Sequence, residues 1–94
     1  MLEDYALYQN YPNPFNTETE IRFVLPEPSH VSLEIYNISG ERIATLRNSQ
    51  ENAGYHSTSW DGKGELGRSV AGGIYLCRFQ AGSYEKTIYM LILK

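Results

Sequence analysis

Between Thr19 and Ile35 apolar side chains fall on alternate residues: Ile21, Phe23 and Leu25, then Val31, Leu33 and Ile35, with Glu20, Arg22, Ser32 and Glu34 between them. Side chains alternate across a strand but recur every three or four residues along a helix, so this spacing predicts two half-buried strands. Leu25-Pro26-Glu27-Pro28-Ser29 joins them, and its prolines stop both a helix and a hydrogen-bonded ladder. Asn37-Ile38-Ser39-Gly40 forms a tight turn into a third run, Arg42 to Leu46. A fourth, His56 to Trp60, sets His56, Thr58 and Trp60 against Tyr55, Ser57 and Ser59. Asp61-Gly62 ends it, and a Gly-rich connection leads to Ile74–Gln80, which groups Tyr75, Cys77 and Phe79 on one side. Ala81-Gly82-Ser83 then turns into a last run, Tyr84 to Leu93, and a short run at Leu7 to Asn10 would make seven. Short strands at regular intervals with turn residues between them predict an all-β, antiparallel β-sandwich.

A chain of 94 residues fits one domain, and at this size only roughly two-thirds of the unfolded surface is buried, which leaves one thin core and little room for a ligand cavity. Charged residues at 20% and hydrophobic ones at 41%, with eight tyrosines, describe a folded chain rather than a disordered one. A net charge of −3 with no long basic cluster argues against nucleic acid as partner, because such binding depends on Lys and Arg neutralising phosphates. Cys77 is the sole cysteine, so no intrachain disulfide forms and the compartment stays open. Met1 to Tyr5 is acidic and lacks the apolar run of a signal peptide; the expectation is that Met1 is an added start and that a signal peptide and a passenger lie upstream in the natural protein. The longest apolar stretch, Ile88 to Leu93, is too short to span a bilayer.

That closing stretch is apolar on both parities, Ile88, Met90 and Ile92 against Tyr89, Leu91 and Leu93. A strand with two apolar faces is expected centrally in a sheet or under another element. Lys86 and Lys94 flank it as charges that discourage edge-to-edge pairing.

Four motifs follow one another in a fixed order. Tyr11-Pro12-Asn13-Pro14-Phe15-Asn16 opens the chain, Trp60-Asp61-Gly62 and Gly73-Ile74-Tyr75 lie in its second half, and Lys86, Met90 and Lys94 mark the end. In this combination the chain resembles the type A C-terminal sorting domain of the type IX (Por) secretion system, a relative of the immunoglobulin-like domain of flagellar hook-capping proteins. The resemblance covers residues 7–94, leaving 1–6 as an added start or linker. Tyr36 to Leu46, with Glu41-Arg42, resembles the family's interior hairpin. Thr17-Glu18-Thr19 stands where Pro, Ser and Thr are usual. The resemblance implies an immunoglobulin-like β-sandwich of about seven strands, no catalysis and no cofactor. It also implies an upstream cargo in the same polypeptide, the type IX translocon and a cell-surface sortase as partners, and a secreted or surface location reached through the periplasm and outer membrane. Lys86, Met90 and Lys94 are then the expected recognition residues.

The same residues have physical readings. Pro12 and Pro14 bias Tyr11 and Asn13 toward extended backbone, so the segment can lie along a sheet edge with Tyr11 and Phe15 as apolar anchors, while Asn13 and Asn16 can close Asx turns. Trp60 is expected in the core, where a sole Trp carries a large share of apolar burial. His56, on the Trp60 face, reads as a hydrogen-bonded structural histidine, His30 as solvent-facing, and Cys77 as a small buried hydrophobe. Ser59, His56 and Asp61 are neighbours with nothing to align a nucleophile with a base. Asp61 and Glu65 lack the alternating carboxylates of a calcium loop, and Asp61 before Gly62 reads as a turn former. Asn37-Ile38-Ser39 is a glycosylation sequon read as coincidental.

Three functions remain: an export and surface-attachment signal recognised through a folded surface plus the closing strand, for which an added or exposed strand would be a suitable mode; a passive or carbohydrate-binding module of a secreted hydrolase; and an assembly module like that of the hook cap.

Overall fold

The computed structural model describes residues 3–94 as two packed antiparallel sheets. Seven strands follow in order: β1 (Ala6–Leu7), β2 (Thr19–Leu25), β3 (Ser29–Asn37), β4 (Arg42–Glu51), β5 (Gly54–Trp60), β6 (Gly73–Ala81) and β7 (Tyr84–Ile92). One sheet has the order β1-β2-β5, the other β4-β3-β6-β7. This is the expected immunoglobulin-like β-sandwich.

The period-two pattern decides which side chains meet. In β2, Ile21, Phe23 and Leu25 are buried; in β3, Val31, Leu33 and Ile35 are fully enclosed, and in β6 Cys77 and Phe79 join them. Register carries this inward face across the larger sheet, because Ile35 pairs with Cys77 and Cys77 with Ile88. Phe23 and Phe79 bridge the two layers with ring centroids 5.0 Å apart, within the range where aromatic pairs add to plain burial. Tyr75, Trp60 and Phe15 stack edge to face at one end of the sandwich, with centroid separations of 5.6 and 5.8 Å. Burial pushes the Cys77 thiol up to about 12, which leaves it a packed apolar group rather than a nucleophile.

Beyond shifts of one or two residues at the ends of β5, β6 and β7, two strands differ from the sequence expectation. β4 runs to Glu51 rather than stopping at Leu46, because Arg47 to Glu51 pair with Leu33 back to Ser29. As the outer strand of its sheet, it needs few apolar residues, so its polar half carries no alternation to read. β1 is shorter than Leu7–Asn10 and begins one residue earlier, at Ala6. Tyr5 also belongs to the fold: its ring stacks on Tyr84 at 5.6 Å and its hydroxyl shares a 2.9 Å hydrogen bond with Ser29. These contacts lie two residues before the expected boundary at Leu7; the added start expected at Met1 lies outside the described residues.

Candidate functional site

The sequence motifs of the two chain ends meet at one margin of the sandwich. After β1 the chain stays on the edge of β2, where the Tyr8 N–H donates to Arg22 O and Tyr11 exchanges two backbone hydrogen bonds with Glu20. It then crosses at Pro12-Asn13-Pro14 to the other sheet, where Phe15 bridges in parallel to Ile92. The Phe15 N–H donates to Leu91 O and the Leu93 N–H donates to Phe15 O, at 3.0 and 2.9 Å. Asn13 Oδ1 accepts from the Leu91 N–H at 3.0 Å, and Gln9 Nε2 donates to Tyr89 O at 2.7 Å. Residues 9–15 thus form a strap that caps the outward backbone groups of β7 from Tyr89 to Leu93.

Side chains fix the crossing. Asn10, only 2% exposed, donates to Thr19 Oγ1 at 2.9 Å and to Pro12 O, and the Thr19 hydroxyl donates to the same carbonyl at 2.8 Å. A buried amide and hydroxyl with partners rigidify a turn, whereas unpaired they would cost stability. Asn10, Thr19 and Gln9 were not singled out from sequence; a polar residue before a Pro-rich turn is a weak signal beside the motif itself. Asn13 lies in the strap, but its side chain reaches across to β7 rather than closing a local Asx turn.

Phe15 is 1% exposed against Trp60, as expected of an anchor, but Tyr11 is 75% exposed. Tyr11 shares register with Glu20, whose side chain points to solvent, so the strap turns its tyrosine outward and only its phenylalanine inward. Trp60 is buried and its indole N–H donates to Lys63 O at 2.9 Å; Asp61 Oδ1 accepts from the Lys63 N–H, closing the turn. Gly62 completes it at φ +72, a conformation L side chains rarely adopt, directly over Phe15 and Ile92. Gly73 starts β6, and the Tyr75 hydroxyl donates to Ala71 O at 2.7 Å, with burial raising its pKa. A Cβ at the preceding Gly72 would stand 3.2 Å from Lys94 Cβ and 3.3 Å from Ile92 O, so the loop before β6 also touches the closing residues.

The three expected recognition residues are placed unequally. Met90 is 1% exposed and presents no surface in the folded domain. Lys86 is solvent-exposed, and its ammonium crosses to the other sheet to donate to Leu7 O at 3.1 Å. Lys94 is exposed and its ammonium donates to Val70 O. β7 itself is an outer strand of the larger sheet rather than a central one. Its second apolar parity stays open, with Tyr89 65% and Leu93 49% exposed. Its edge is sealed at Tyr89 to Leu93 by the strap, so strand addition there requires the strap to leave.

His56 stacks on Phe23 at 5.1 Å and its Nε2 bonds Asn52 O at 2.7 Å, while Ser59 points outward from the opposite side of β5. The two do not meet as a nucleophile and base. His30 is exposed and bonds Asn48. Among the described residues, no group of three or more His, Cys, Asp and Glu side chains is placed to hold a metal ion.

Two packed antiparallel sheets with a strand-switching opening segment define an immunoglobulin-like module. The chain belongs to the FlgD Ig-like domain family, whose pattern matches residues 12–85. It is similar to the crystal structure of FlgD from P. aeruginosa, at 27% identity over 79% of this chain and 57% of that one, with a TM-score of 0.61. It is also similar in fold to dimeric latent PorU from Porphyromonas gingivalis, with a TM-score of 0.70 and 15% identity over 98% of this chain. The chain spans only 57% and 10% of these two proteins. No curated protein sequence matches it.

Proposed function

We propose that this domain is a type A sorting domain, a folded label that directs an upstream cargo through the type IX secretion system to the bacterial surface. The observation that carries the reading is the strap. The Tyr11–Asn16 motif and the closing strand, which resemble that family at opposite ends of the sequence, are one structural unit here, joined through Asn13, Phe15, Leu91 and Leu93. A label read only after folding needs its two signature segments in one place.

In this reading the machinery contacts side chains rather than the capped edge. Lys86, near the start of β7, and Lys94, two residues past its end, stand eight residues apart, a span of about 26 Å if the chain stays extended. They offer cationic contacts, and Met90 acts indirectly by seating the strand in the core. The partners are the translocon and a cell-surface sortase, the domain is not an enzyme, and the location is the cell surface or beyond.

The test is export of a fluorescent cargo carrying a signal peptide and this domain in a bacterium with type IX secretion. Lys86→Ala combined with Lys94→Ala is expected to leave the fold intact and hold the cargo in the periplasm. Normal export of the double variant removes both lysines from the reading, and normal export of cargo without the domain removes the reading itself.

The FlgD family match equally supports a second reading, an assembly module that packs against copies of a flagellar structure. Genes for flagellar parts beside this one, with no secreted passenger fused to it, would favour that reading.

A further inference from the structure

The two outward faces of the sandwich differ in chemistry. On the larger sheet, Ile74, Leu76 and Leu91 are aliphatic and stand beside Tyr36 and Tyr89. The outward face of β1-β2-β5 instead carries tyrosines, serines and one pair of opposite charges. Tyr8, Tyr11 and Tyr55 are 47%, 75% and 78% exposed there. Register places them on one surface: Tyr8 bonds the backbone of Arg22, Tyr11 pairs with Glu20, and Tyr55 pairs with Val24. Tyr8, Arg22 and Tyr55 line a shallow cavity of 240 Å³. Tyr8, one residue past β1, lies opposite Arg22, and Tyr55 on β5 lies opposite Val24, so the two rings stand diagonally across β2, two strand spacings apart sideways and two residues apart along the strands, or about 12 Å.

We propose that this face binds a neutral oligosaccharide. Pyranose rings present flat C–H faces that pack on tyrosine rings and hydroxyl edges that seek paired donors and acceptors. Both are present. The rings flank the cavity, while Arg22 supplies donors, Glu20 supplies acceptors and Ser57 lies beside Arg22 in register. Arg22 Nε and Glu20 Oε1 are 3.9 Å apart with both side chains more than half exposed, a loose pairing that leaves their hydrogen-bonding capacity to a ligand. The pair is charge-balanced and the chain carries −3 overall, which suits an uncharged ligand and disfavours nucleic acid or an acidic polymer. Ser57 and Ser59, exposed on the same face of β5, add hydroxyl groups beside the rings. The cavity residues Tyr8, Arg22 and Tyr55 lie on the sheet opposite β7, so the site uses neither Lys86 nor Lys94 of the export reading.

Native affinity electrophoresis of the whole chain tests it, using gels that contain glucomannan, xyloglucan, hydroxyethylcellulose or, as an acidic comparison, alginate. At least one neutral polysaccharide is expected to retard the protein, with little change when salt is raised several-fold. Tyr55→Ala and Tyr8→Ala should each weaken retardation by about tenfold. Tyr55→Phe should keep most of it, and Ile74→Ala on the other sheet should keep all of it. Circular dichroism melts confirm that each variant is folded. Absence of retardation in every neutral gel overturns the proposal, as does retardation by alginate alone or retardation unaffected by Tyr55→Ala.

Discussion

The two margins where the sheets come together solve one problem by different means. At each, a basic side chain on the larger sheet donates to a backbone carbonyl on the outer strand of the smaller one: Lys86 of β7 to Leu7 O, and Arg47 of β4 to Ser57 O at 3.0 Å. Beyond that the margins diverge. The β1–β7 margin is closed by backbone, with the strap hydrogen-bonded along β7. The β4–β5 margin is guarded by charge and irregularity: Arg47, Glu51 and His56 cluster there, register shifts break the β3–β4 ladder, and the Glu65 N–H takes the Ile43 carbonyl. Exposed strand edges invite pairing with other chains, and bulges and charges are the usual defence. A strap costs more ordered chain but leaves the outward face of its strand free of protective charge, so β7 can keep Tyr89, Leu91 and Leu93 there.

The largest test of this contrast is Phe15→Ala. Phe15 is fully enclosed against Trp60 and is also the strap residue that makes both backbone bonds to β7. Removing its ring is expected to cost about 3–5 kcal/mol, and loosening the strap should expose Leu91 and Leu93 to hydrogen exchange and favour self-association through β7. Loss of stability with β7 amides still protected and the protein still monomeric would show that the ring matters and the strap does not.

Asn13→Ala is a milder probe of the same margin. It removes the acceptor for the Leu91 N–H while leaving Phe15 in place, so a loss of about 1 kcal/mol is expected. Exchange should accelerate at Leu91 before Ile88, whose pairing with Cys77 is untouched. Equal acceleration at both would mean that β7 opens as one unit and that the side-chain bond has no local role.

At the opposite margin Arg47→Met tests a guard that has no backbone component. Arg47 donates to Ser57 O, lies 3.5 Å from Glu51 and places its guanidinium 5.5 Å from the Phe23 ring centre. Methionine keeps much of the stem's packing but none of the charge, and a loss of about 0.5–1.5 kcal/mol is expected from the bond and the cation–π contact together. The protein should stay monomeric, because the bulges and the Glu65 contact remain.

The inward faces were legible because alternation reports burial directly: Ile21, Phe23, Leu25, Val31, Leu33 and Ile35 are all enclosed as the spacing requires. The strap was legible as a sheet-edge segment, since prolines before extended residues allow little else. Which of its aromatics points inward was not, because Tyr11 and Phe15 sit in different sheets and no single periodicity spans the crossing. β7 misled for a related reason. Apolar residues on both parities usually mean cover on both faces, yet here the edge is covered and the outer face is not. Arg47 was invisible in the sequence because its partners, Ser57 and Phe23, lie on strands of the other sheet.

The smallest effect concerns how the charged margin responds to acid. The Ser49 hydroxyl donates to Glu51 Oε2 and, with smaller contributions from Arg47 and His56, holds the Glu51 carboxyl below its ordinary value of 4.5. A carboxyl whose pKa is lowered by folding adds stability that is fully present above its unfolded value and lost as the pH falls through the folded one. Glu51 is therefore expected to titrate below 4.5 by NMR in the native protein, and Ser49→Ala should move its midpoint upward. The strap margin has no such group: its bonds run through Gln9, Asn13 and the Phe15 backbone, and those do not titrate in this range. Mild acid should thus loosen the β4–β5 margin first, and amides near Glu51 should lose exchange protection at a higher pH than those of Leu91 and Leu93. If Ser49→Ala leaves the Glu51 midpoint unmoved, Arg47 is the dominant influence and the Arg47→Met variant should move it instead.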